Sequence, residues 1–257
     1  MADEVLTSRD DAVLTITLNR PDVYNAFNRD LHAALAAALA EASAPEVRAV
    51  VITGAGRGFC SGQDLQEFQQ ISGGIRERLE ETYHPNIRAL RALEKPVLAA
   101  VNGAAAGAGL SLACACDVRI ASEQASFVPG FIGIGLVPDS GGSLFVHRIL
   151  GERAFEWMVS NRRLGAQEAL EWGLVSEVVP AESFPTRVRE LAAWYAALPT
   201  RGVGLTKRLF DRAATATSLD EQLELEAELQ QEATQSEDFH EGVQAFLDKR
   251  QPRFRGR

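Results

Sequence analysis

The sequence predicts an α/β fold, because short apolar strands alternate along the chain with segments of helical periodicity. Residues 12–18 alternate between two faces, with apolar side chains at every second position, as a strand with one buried face does. Leu31, Leu35 and Leu39 then recur at every fourth position, after Asn28, a residue type that can cap a helix. Strands joined by helices in this way pair in parallel.

The same alternation continues to residue 121. It comprises predicted strands over residues 47–53, 96–101 and 117–121, and predicted helices over residues 82–94 and 107–116. Beyond Gly141 the chain becomes mainly helical, and the helix predicted over residues 166–172 ends at Gly173, in the position that glycine commonly takes after a helix. Further helices are predicted over residues 183–198, 202–214, 219–234 and 238–249. We expect a core domain over residues 1–200 and a helical C-terminal region over residues 201–257, which packs on the core or on a neighbouring subunit.

Composition and charge narrow the classes of function. The 257 residues include 26 basic and 35 acidic side chains, which give a net charge of −9, and 46% of the residues are hydrophobic. This balance is typical of a globular chain and not of a disordered one. A net negative surface repels the phosphates of nucleic acids, so we expect no nucleic-acid partner.

Two segments bear on the compartment. The N-terminal stretch carries Asp3 and Glu4 and lacks the basic-then-apolar pattern of a signal peptide, so we expect a cytoplasmic protein. The uncharged run over residues 97–116 is long enough to span a membrane, but its glycines, its alanines and Asn102 make it weakly hydrophobic. We therefore expect no membrane partner.

The three cysteines form no CxxC pair, so the sequence predicts neither a disulfide framework nor a zinc site.

Two glycine-rich turns are candidates for a ligand site. Residues 58–65 read Gly-Phe-Cys-Ser-Gly-Gln-Asp-Leu, and residues 102–109 read Asn-Gly-Ala-Ala-Ala-Gly-Ala-Gly. Each turn follows a predicted strand and leads toward a helix, where small residues let backbone N–H groups face a ligand. Ordinary turn chemistry explains glycines here equally well, and neither segment matches the dinucleotide-binding motif or the P-loop.

A lone carboxylate, Asp139, lies in the apolar stretch over residues 131–142, just before a glycine-led helix. In apolar surroundings an aspartate can have a raised pKa and act as a base or a nucleophile. It can equally cap the helix that follows. The residues alone leave both interpretations open.

Taken together, seven segments in order resemble the crotonase (enoyl-CoA hydratase/isomerase) superfamily over essentially the whole chain. They are the two glycine-rich turns, the Asp139 stretch, and residues 20–26, 96–103, 167–175 and 241–250. The stretch Tyr83-His84-Pro85 with Arg88, the Ala-Ala-Gly-Ala-Gly turn and the tail are similar to the ring-epoxide phenylacetyl-CoA isomerase group within that superfamily.

The resemblance implies a spiral of β-β-α turns with a helical C-terminal region that forms homotrimers or dimers of trimers. It implies acyl-CoA thioester substrates, with CoA arriving as part of the substrate, and neither a resident cofactor nor a metal. It also implies that the N–H groups of Gln63 and Ala108 form an oxyanion hole around the thioester carbonyl. In a measured enzyme, removal of one such donor costs roughly 2.7–4 kcal/mol of transition-state stabilisation. Many members have glycine where this chain has Ala108, so the second donor requires a backbone conformation that alanine tolerates.

The resemblance also assigns residues to CoA itself. Asp64 and Leu65 would line the CoA channel. Lys249 would approach the nucleotide part of CoA from an adjacent subunit, although a solvated surface lysine fits the sequence as well.

The reaction is constrained by which acids are present. Hydratases of the superfamily use two glutamates, whose positions here are Ser111 and Phe131, and neither side chain exchanges a proton near neutral pH. The resemblance therefore implies an isomerase with Asp139 as its acid/base. One alternative is an aryl-CoA dehalogenase with Asp139 as nucleophile and His84 as base, although Phe131 replaces a tryptophan of that enzyme. Another is a non-catalytic acyl-CoA-binding member. The remaining histidines are expected at the surface: His32, His147 and His240.

Overall fold

The computed structural model describes residues 3–68 and 74–257, and its strands form two sheets. The strands are β1 (Val5–Asp10), β2 (Val13–Leu18), β3 (Ala49–Gly54), β4 (Gly58–Cys60), β5 (Val97–Val101), β6 (Ala104–Ala106), β7 (Val118–Ser122), β8 (Ser126–Val128), β9 (Leu164–Gly165) and β10 (Glu177–Val179). The larger sheet has the order β1-β2-β3-β5-β7-β10 and is parallel except for the β1–β2 pair. The smaller sheet has the order β4-β6-β8-β9, with β9 antiparallel.

Helices connect and cover these strands. They are α1 (Arg29–Ala42), α2 (Leu65–Phe68), α3 (Ile75–Arg78), α4 (His84–Ala92), α5 (Ala108–Ala115), α6 (Gly142–Leu150), α7 (Arg153–Ser160), α8 (Ala166–Glu171), α9 (Phe184–Ala196), α10 (Thr200–Ala213), α11 (Leu219–Ala233) and α12 (Glu237–Leu247). A π-helical turn, Leu79–Tyr83, joins α3 to α4. None of the helices in the described ranges is both long and apolar enough to cross a membrane.

The predicted periodicities explain how the main elements form and pack. The side chain of Asn28 accepts a hydrogen bond of 2.8 Å from the N–H of Leu31, which confirms it as the cap of α1. The leucines of α1 are buried against the larger sheet, and every residue of β5 is buried, as expected for a central parallel strand. Gly173 follows α8 with a φ of 75°. The backbone thus ends this helix with the left-handed residue that the sequence indicates.

The structure adds elements that the sequence pattern does not predict. The strands of the smaller sheet are only two or three residues long and lie largely in the glycine- and alanine-rich segments, where no alternation can reveal them. The helix predicted over residues 82–94 begins earlier, at Ile75, because the π-helical turn continues α3 into α4. One extra residue in that turn shifts the helical periodicity on its two sides.

A buried polar side chain fixes the loop that leads into β4. Asn25 is fully buried and has a φ of 58°, a conformation that asparagine adopts more readily than most residues. Its Nδ2 donates to the carbonyl oxygens of Ala55, Gly58 and Phe59, and its Oδ1 accepts from the N–H of Arg20. This one residue therefore determines the position of the first glycine-rich turn relative to the larger sheet.

We expect Asn25→Ala to lower the free energy of unfolding by about 3 kcal/mol, because several buried backbone groups lose their partner and alanine is strained at positive φ. Urea unfolding at one fixed protein concentration measures the change. Asn19→Ala is the control, since its side chain donates to Asp3 at the surface, and it should change the free energy by less than about 0.5 kcal/mol. Equal effects of the two variants would contradict the role given to Asn25.

Candidate active site

A cavity of about 190 Å³ lies where the two glycine-rich turns meet the loop that carries Asp139. Most of its wall is apolar, and Asp139 is the one carboxylate among the described residues that line it. The lining comprises Ser61, Gly62, Gln63, Leu65, Ile75, Leu79, Tyr83, Ala106, Gly107, Ala108, Gly130, Phe131, Ile134, Leu136 and Asp139. Residues from distant parts of the chain thus converge on one small apolar space.

A larger groove of about 890 Å³ lies elsewhere, along α10. Both carboxylates of its described lining are engaged in ion pairs: Arg91 binds Asp117 and Asp211, and Lys207 also binds Asp117. These pairs hold α10 on the core, so neither carboxylate is free to act as an acid or a base. The smaller cavity is therefore the better candidate.

The two glycine-rich turns touch through their backbones. Gly62 has a φ of 90°, and a Cβ at this residue would lie 2.9 Å from the carbonyl oxygen of Ala106 and 3.3 Å from the nitrogen of Ala108. Any larger residue at 62 would therefore push the turns apart. This close approach brings the backbone of residues 62–63 beside the start of α5.

Two N–H groups at this contact lack partners within the described part of the chain. Phe27 pairs with Gly62 and Asp64, so the intervening N–H of Gln63 is directed away from that ladder. Ala108 is the first residue of α5, where N–H groups have no intrahelical acceptor. The positive φ that favours glycine falls on Gly107, at 52°, and not on Ala108. Alanine at 108 is therefore compatible with an N–H donor.

The side chain of Gln63 is held on both ends. Its Nε2 donates to the carbonyl oxygens of Phe27 and Asp64, and its Oε1 accepts a 2.6 Å hydrogen bond from the hydroxyl of Tyr83. Tyr83 ends the π-helical turn and is only 5% exposed. Burial raises the pKa of Tyr83, so the hydroxyl keeps its proton and remains a donor to Gln63.

His32 corrects an expectation, because it is 3% exposed and not at the surface. Its ring stacks on Phe27 and lies edge-on to Tyr83, with ring centroids 4.7 and 4.1 Å apart. The amide of Asn86 lies 3.2 Å from its Nδ1. Burial, and secondarily the charge of Arg78, lowers the pKa of His32 to about 3, so the ring is neutral and packs as an aromatic group. His147 and His240 are exposed.

Asp139 does not cap α6. The residue that precedes this helix is Gly141, with no side-chain cap, and the carboxylate of Asp139 instead accepts a 3.0 Å hydrogen bond from the hydroxyl of Ser140. The side chain is half-buried. Burial raises the pKa of Asp139, while the Ser140 hydrogen bond and the charge of His84 act in the opposite direction. A lone carboxylate with a raised pKa is suited to taking up and returning a proton.

The predicted site residues do not all meet at this cavity. Gln63, Leu65, Ala108 and Asp139 line it together, whereas the described lining does not include Asp64, His84 or Lys249. His84 is the half-buried first residue of α4, near enough to influence Asp139. Lys249 is exposed just after α12.

The carboxylate of Asp64 is engaged in local structure. It pairs with Arg20 at 3.0 Å and accepts from the N–H groups of Gln66 and Glu67, at the start of α2. Although desolvation acts to raise the pKa of Asp64, these hydrogen bonds lower it. Asp64 therefore stays ionised and fixes the loop that follows Gln63.

Sequence reasoning missed Tyr83 as a member of the site. A tyrosine in a helical segment gives no sign of its distant partner Gln63. The one available signal was its position next to His84.

The raised pKa of Asp139 has a consequence for stability. The folded protein holds this proton more tightly than the unfolded chain does, so the carboxyl group reduces stability as pH rises from its ordinary pKa of 3.8 through the raised value. We expect Asp139→Asn to unfold at a higher temperature than the wild type at pH 7, with the advantage shrinking toward pH 4. Thermal unfolding across this pH range measures it. Asp10→Asn, at an exposed position, should show no such trend, and a constant difference for Asp139→Asn would contradict the raised pKa.

Comparison with known proteins identifies the family of this chain. A family model described as "Enoyl-CoA hydratase/isomerase" matches residues 8–257. The chain is 42% identical to a 1,2-epoxyphenylacetyl-CoA isomerase of Escherichia coli over 100% of both chains. It is 46% identical to a Rhodobacter capsulatus protein named "Probable enoyl-CoA hydratase" over 96% of both. It is 38% identical to a 4-chlorobenzoyl coenzyme A dehalogenase of Arthrobacter over 80% of this chain and 77% of that one.

The fold agrees as well. An enoyl-CoA hydratase from Bacillus anthracis superposes with a TM-score of 0.93 at 31% identity, over 99% of this chain and 100% of that one. The mixed α/β architecture with parallel sheets and C-terminal helices is therefore the crotonase fold. Sequence, fold and cavity together show that this chain belongs to the enoyl-CoA hydratase/isomerase family.

Proposed function

We propose that the protein is an acyl-CoA isomerase that shifts a double bond or rearranges a ring epoxide, with Asp139 as acid/base. The observation that carries the proposal is the meeting, in one apolar cavity, of two N–H groups with the one carboxylate of its described lining. The N–H groups, on Gln63 and Ala108, lack partners among the described residues, and the pKa of the carboxylate, Asp139, is raised. The Escherichia coli relative named as an epoxyphenylacetyl-CoA isomerase supports the same reaction class.

A double-bond shift needs one group that carries a proton and donors that stabilise the enolate oxygen. Asp139 takes a proton from the carbon beside the thioester carbonyl, and the electron pair of that C–H bond moves into an enolate. The N–H groups of Gln63 and Ala108 stabilise the negative charge on the enolate oxygen. Asp139 then returns the proton to another carbon of the conjugated system, so atoms and charge balance without a second acid.

The residues at the two glutamate positions of the hydratases do not support hydration. Ser111 and Phe131 stand where the hydratases of the superfamily have glutamates, and both are buried. Addition of water needs one group to activate the water and another to protonate the substrate. With Asp139 as the one carboxylate of the described lining, a proton shuttle is better supported than an addition.

For the CoA portion, we propose that CoA binds as part of the substrate and passes Leu65, which lines the cavity and is 54% exposed. Asp64 would act here by holding the loop around Leu65 in place. Lys249 is exposed and available to a neighbouring subunit. No resident cofactor or metal takes part in the proposed reaction.

A second candidate is the aryl-CoA dehalogenase. Two observations favour it: the Arthrobacter dehalogenase among the relatives, and the charge of His84, which acts on Asp139. In that reaction the Asp139 carboxylate would attack the ring carbon and displace halide. Water that has given up a proton to His84 would then hydrolyse the resulting aryl ester and release the carboxylate. A raised pKa suits a group that must both take up and return a proton, whereas a nucleophilic attack uses the ionised form alone. A non-catalytic acyl-CoA-binding protein is the third candidate, and it would not need the carboxylate.

We expect Asp139→Asn to lower turnover of 3-enoyl-CoA or ring-epoxide acyl-CoA substrates by at least about 100-fold, because the proton carrier is lost. Binding of a CoA product should remain, since the N–H donors and the apolar wall are intact. Spectrophotometric turnover and calorimetric binding measure the two effects. Asp220→Asn, on the exposed start of α11, is the matched control.

Other outcomes discriminate between the candidates. Full turnover in Asp139→Asn would contradict the proposed acid/base. Halide release from 4-chlorobenzoyl-CoA by the wild type would support the dehalogenase in place of the isomerase. Binding of acyl-CoA without conversion of any linear, dienoyl or phenylacetyl-derived thioester would support the non-catalytic protein.

We also propose a homotrimer or a dimer of trimers. Large apolar side chains on α11 and α12 are left uncovered in the single chain: Leu223, Phe246 and Leu247 are 49%, 83% and 67% exposed. Phe246 and Leu247 line one groove together, and exposed apolar side chains that share a surface mark an interaction site. Light scattering should give three or six times the chain mass of 27.8 kDa. Phe246→Glu should reduce the mass of the particle in solution. A wild-type particle of 27.8 kDa would contradict the proposed trimer or hexamer.

A further inference from the structure

The turn that carries Asp139 is strained. Ser140 and Gly141 follow it with φ angles of 52° and 78°, so two successive residues adopt the left-handed conformation, one of them not a glycine. Such a conformation persists only where neighbouring groups hold it in place. The position of the Asp139 carboxylate therefore depends on the bonds that the backbone of this turn makes with the rest of the fold.

One of those bonds comes from a side chain of α5. The hydroxyl of Ser111 lies 3.1 Å from the carbonyl oxygen of Asp139, which also accepts a 2.7 Å hydrogen bond from the N–H of Gly142. The same hydroxyl lies 3.4 Å from the carbonyl oxygen of Gly107. Since a hydroxyl has one proton, the shorter contact with Asp139 is the one it serves.

Ser111 is closely packed against the start of α6. The residue is fully buried, and a Cβ at Gly142 would lie 2.4 Å from its hydroxyl oxygen. Glycine at 142 therefore leaves the space that the hydroxyl occupies. A larger side chain at either position would separate α5 from α6.

Ser111 also lies one turn along α5 from Ala108, the first residue of that helix. Residues three apart on a helix are fixed neighbours. A hydrogen bond from Ser111 to the Asp139 backbone thus sets the separation between the N–H of Ala108 and the carboxylate of Asp139.

We infer that Ser111 is a positioning residue, which holds the proton carrier Asp139 at a fixed distance from the oxyanion donor Ala108. The inference rests on the proposed function for its catalytic meaning. The geometry itself, a buried hydroxyl that joins the start of α5 to a strained turn, stands independently of it.

The test is Ser111→Ala, which removes the hydroxyl and adds no atoms. We expect kcat to fall by roughly 10- to 100-fold, as small misplacements of a reacting group do, with KM within about twofold of the wild type because the binding surface is unchanged. We also expect the pKa of the Asp139 carboxyl group, followed by carbon-13 NMR, to fall toward its ordinary value as the turn relaxes toward solvent.

Ser122→Ala is the matched control. Ser122 is 2% exposed, and its hydroxyl oxygen accepts a hydrogen bond from the N–H of Gln124, away from the cavity. This variant should lose stability without changing kcat, KM or the pKa of Asp139. A similar fall of kcat in both variants would show that a buried serine acts on this protein only through stability, and the inference would be wrong.

Ser111→Cys covers the case in which Ser111→Ala does not fold. It keeps a side chain in the packed position but replaces the hydroxyl with a weak donor, so a fall of kcat and a change in the pKa of Asp139 in the same direction are expected. Wild-type kcat together with an unchanged carboxyl pKa in either folded variant would overturn the inference. If the wild type converts no thioester, the proposed function fails, and the carboxyl pKa still decides whether Ser111 positions Asp139.

Discussion

The close approach of Gly62 to the backbone of residues 106–108 is the contact on which the candidate site depends. It places two N–H groups from separate turns side by side, an arrangement that side chains alone could not produce without adding bulk. The smaller sheet supports it, since β4 and β6 pair in parallel immediately before the two turns. Glycine is required here for space as much as for its φ angle, because the neighbouring atoms at 62 are backbone and cannot move aside.

Around that contact, polar side chains bind backbone atoms and so fix loops that have no regular structure. Asn25 holds the entry to the first turn, and Gln63 is tied to Phe27 and to Tyr83. Such bonds cost little when both partners are satisfied and make the cavity rigid before any substrate arrives. Preorganised donors stabilise developing charge more effectively than donors that must reorient. The apolar wall strengthens the effect by lowering the local dielectric constant.

Much of this architecture could be predicted from the sequence, and the remainder has a physical reason for escaping prediction. Period-four leucines and alternating strands gave α1, β2 and the parallel sheet, because burial imposes those periods locally. His32 was expected at the surface, since a single histidine in an alanine-rich helix shows no partner until Phe27 and Tyr83 pack on it. Asp139 was ambiguous between cap and base, because only the backbone path through Ser140 and Gly141 decides which groups its carboxylate meets.

The π-helical turn over Leu79–Tyr83 makes the site sensitive to the length of the chain as well as to its composition. One residue advances an α-helix by about 100°. Deletion of a single residue within this turn would restore a regular α-helix and rotate α3 relative to α4. The Tyr83 hydroxyl would then face away from Gln63, although the rest of the sequence would be unchanged. Relatives that differ here by one deletion would thus share the fold but lack the hydrogen bond between Tyr83 and Gln63. Percentage identity does not reveal such a difference.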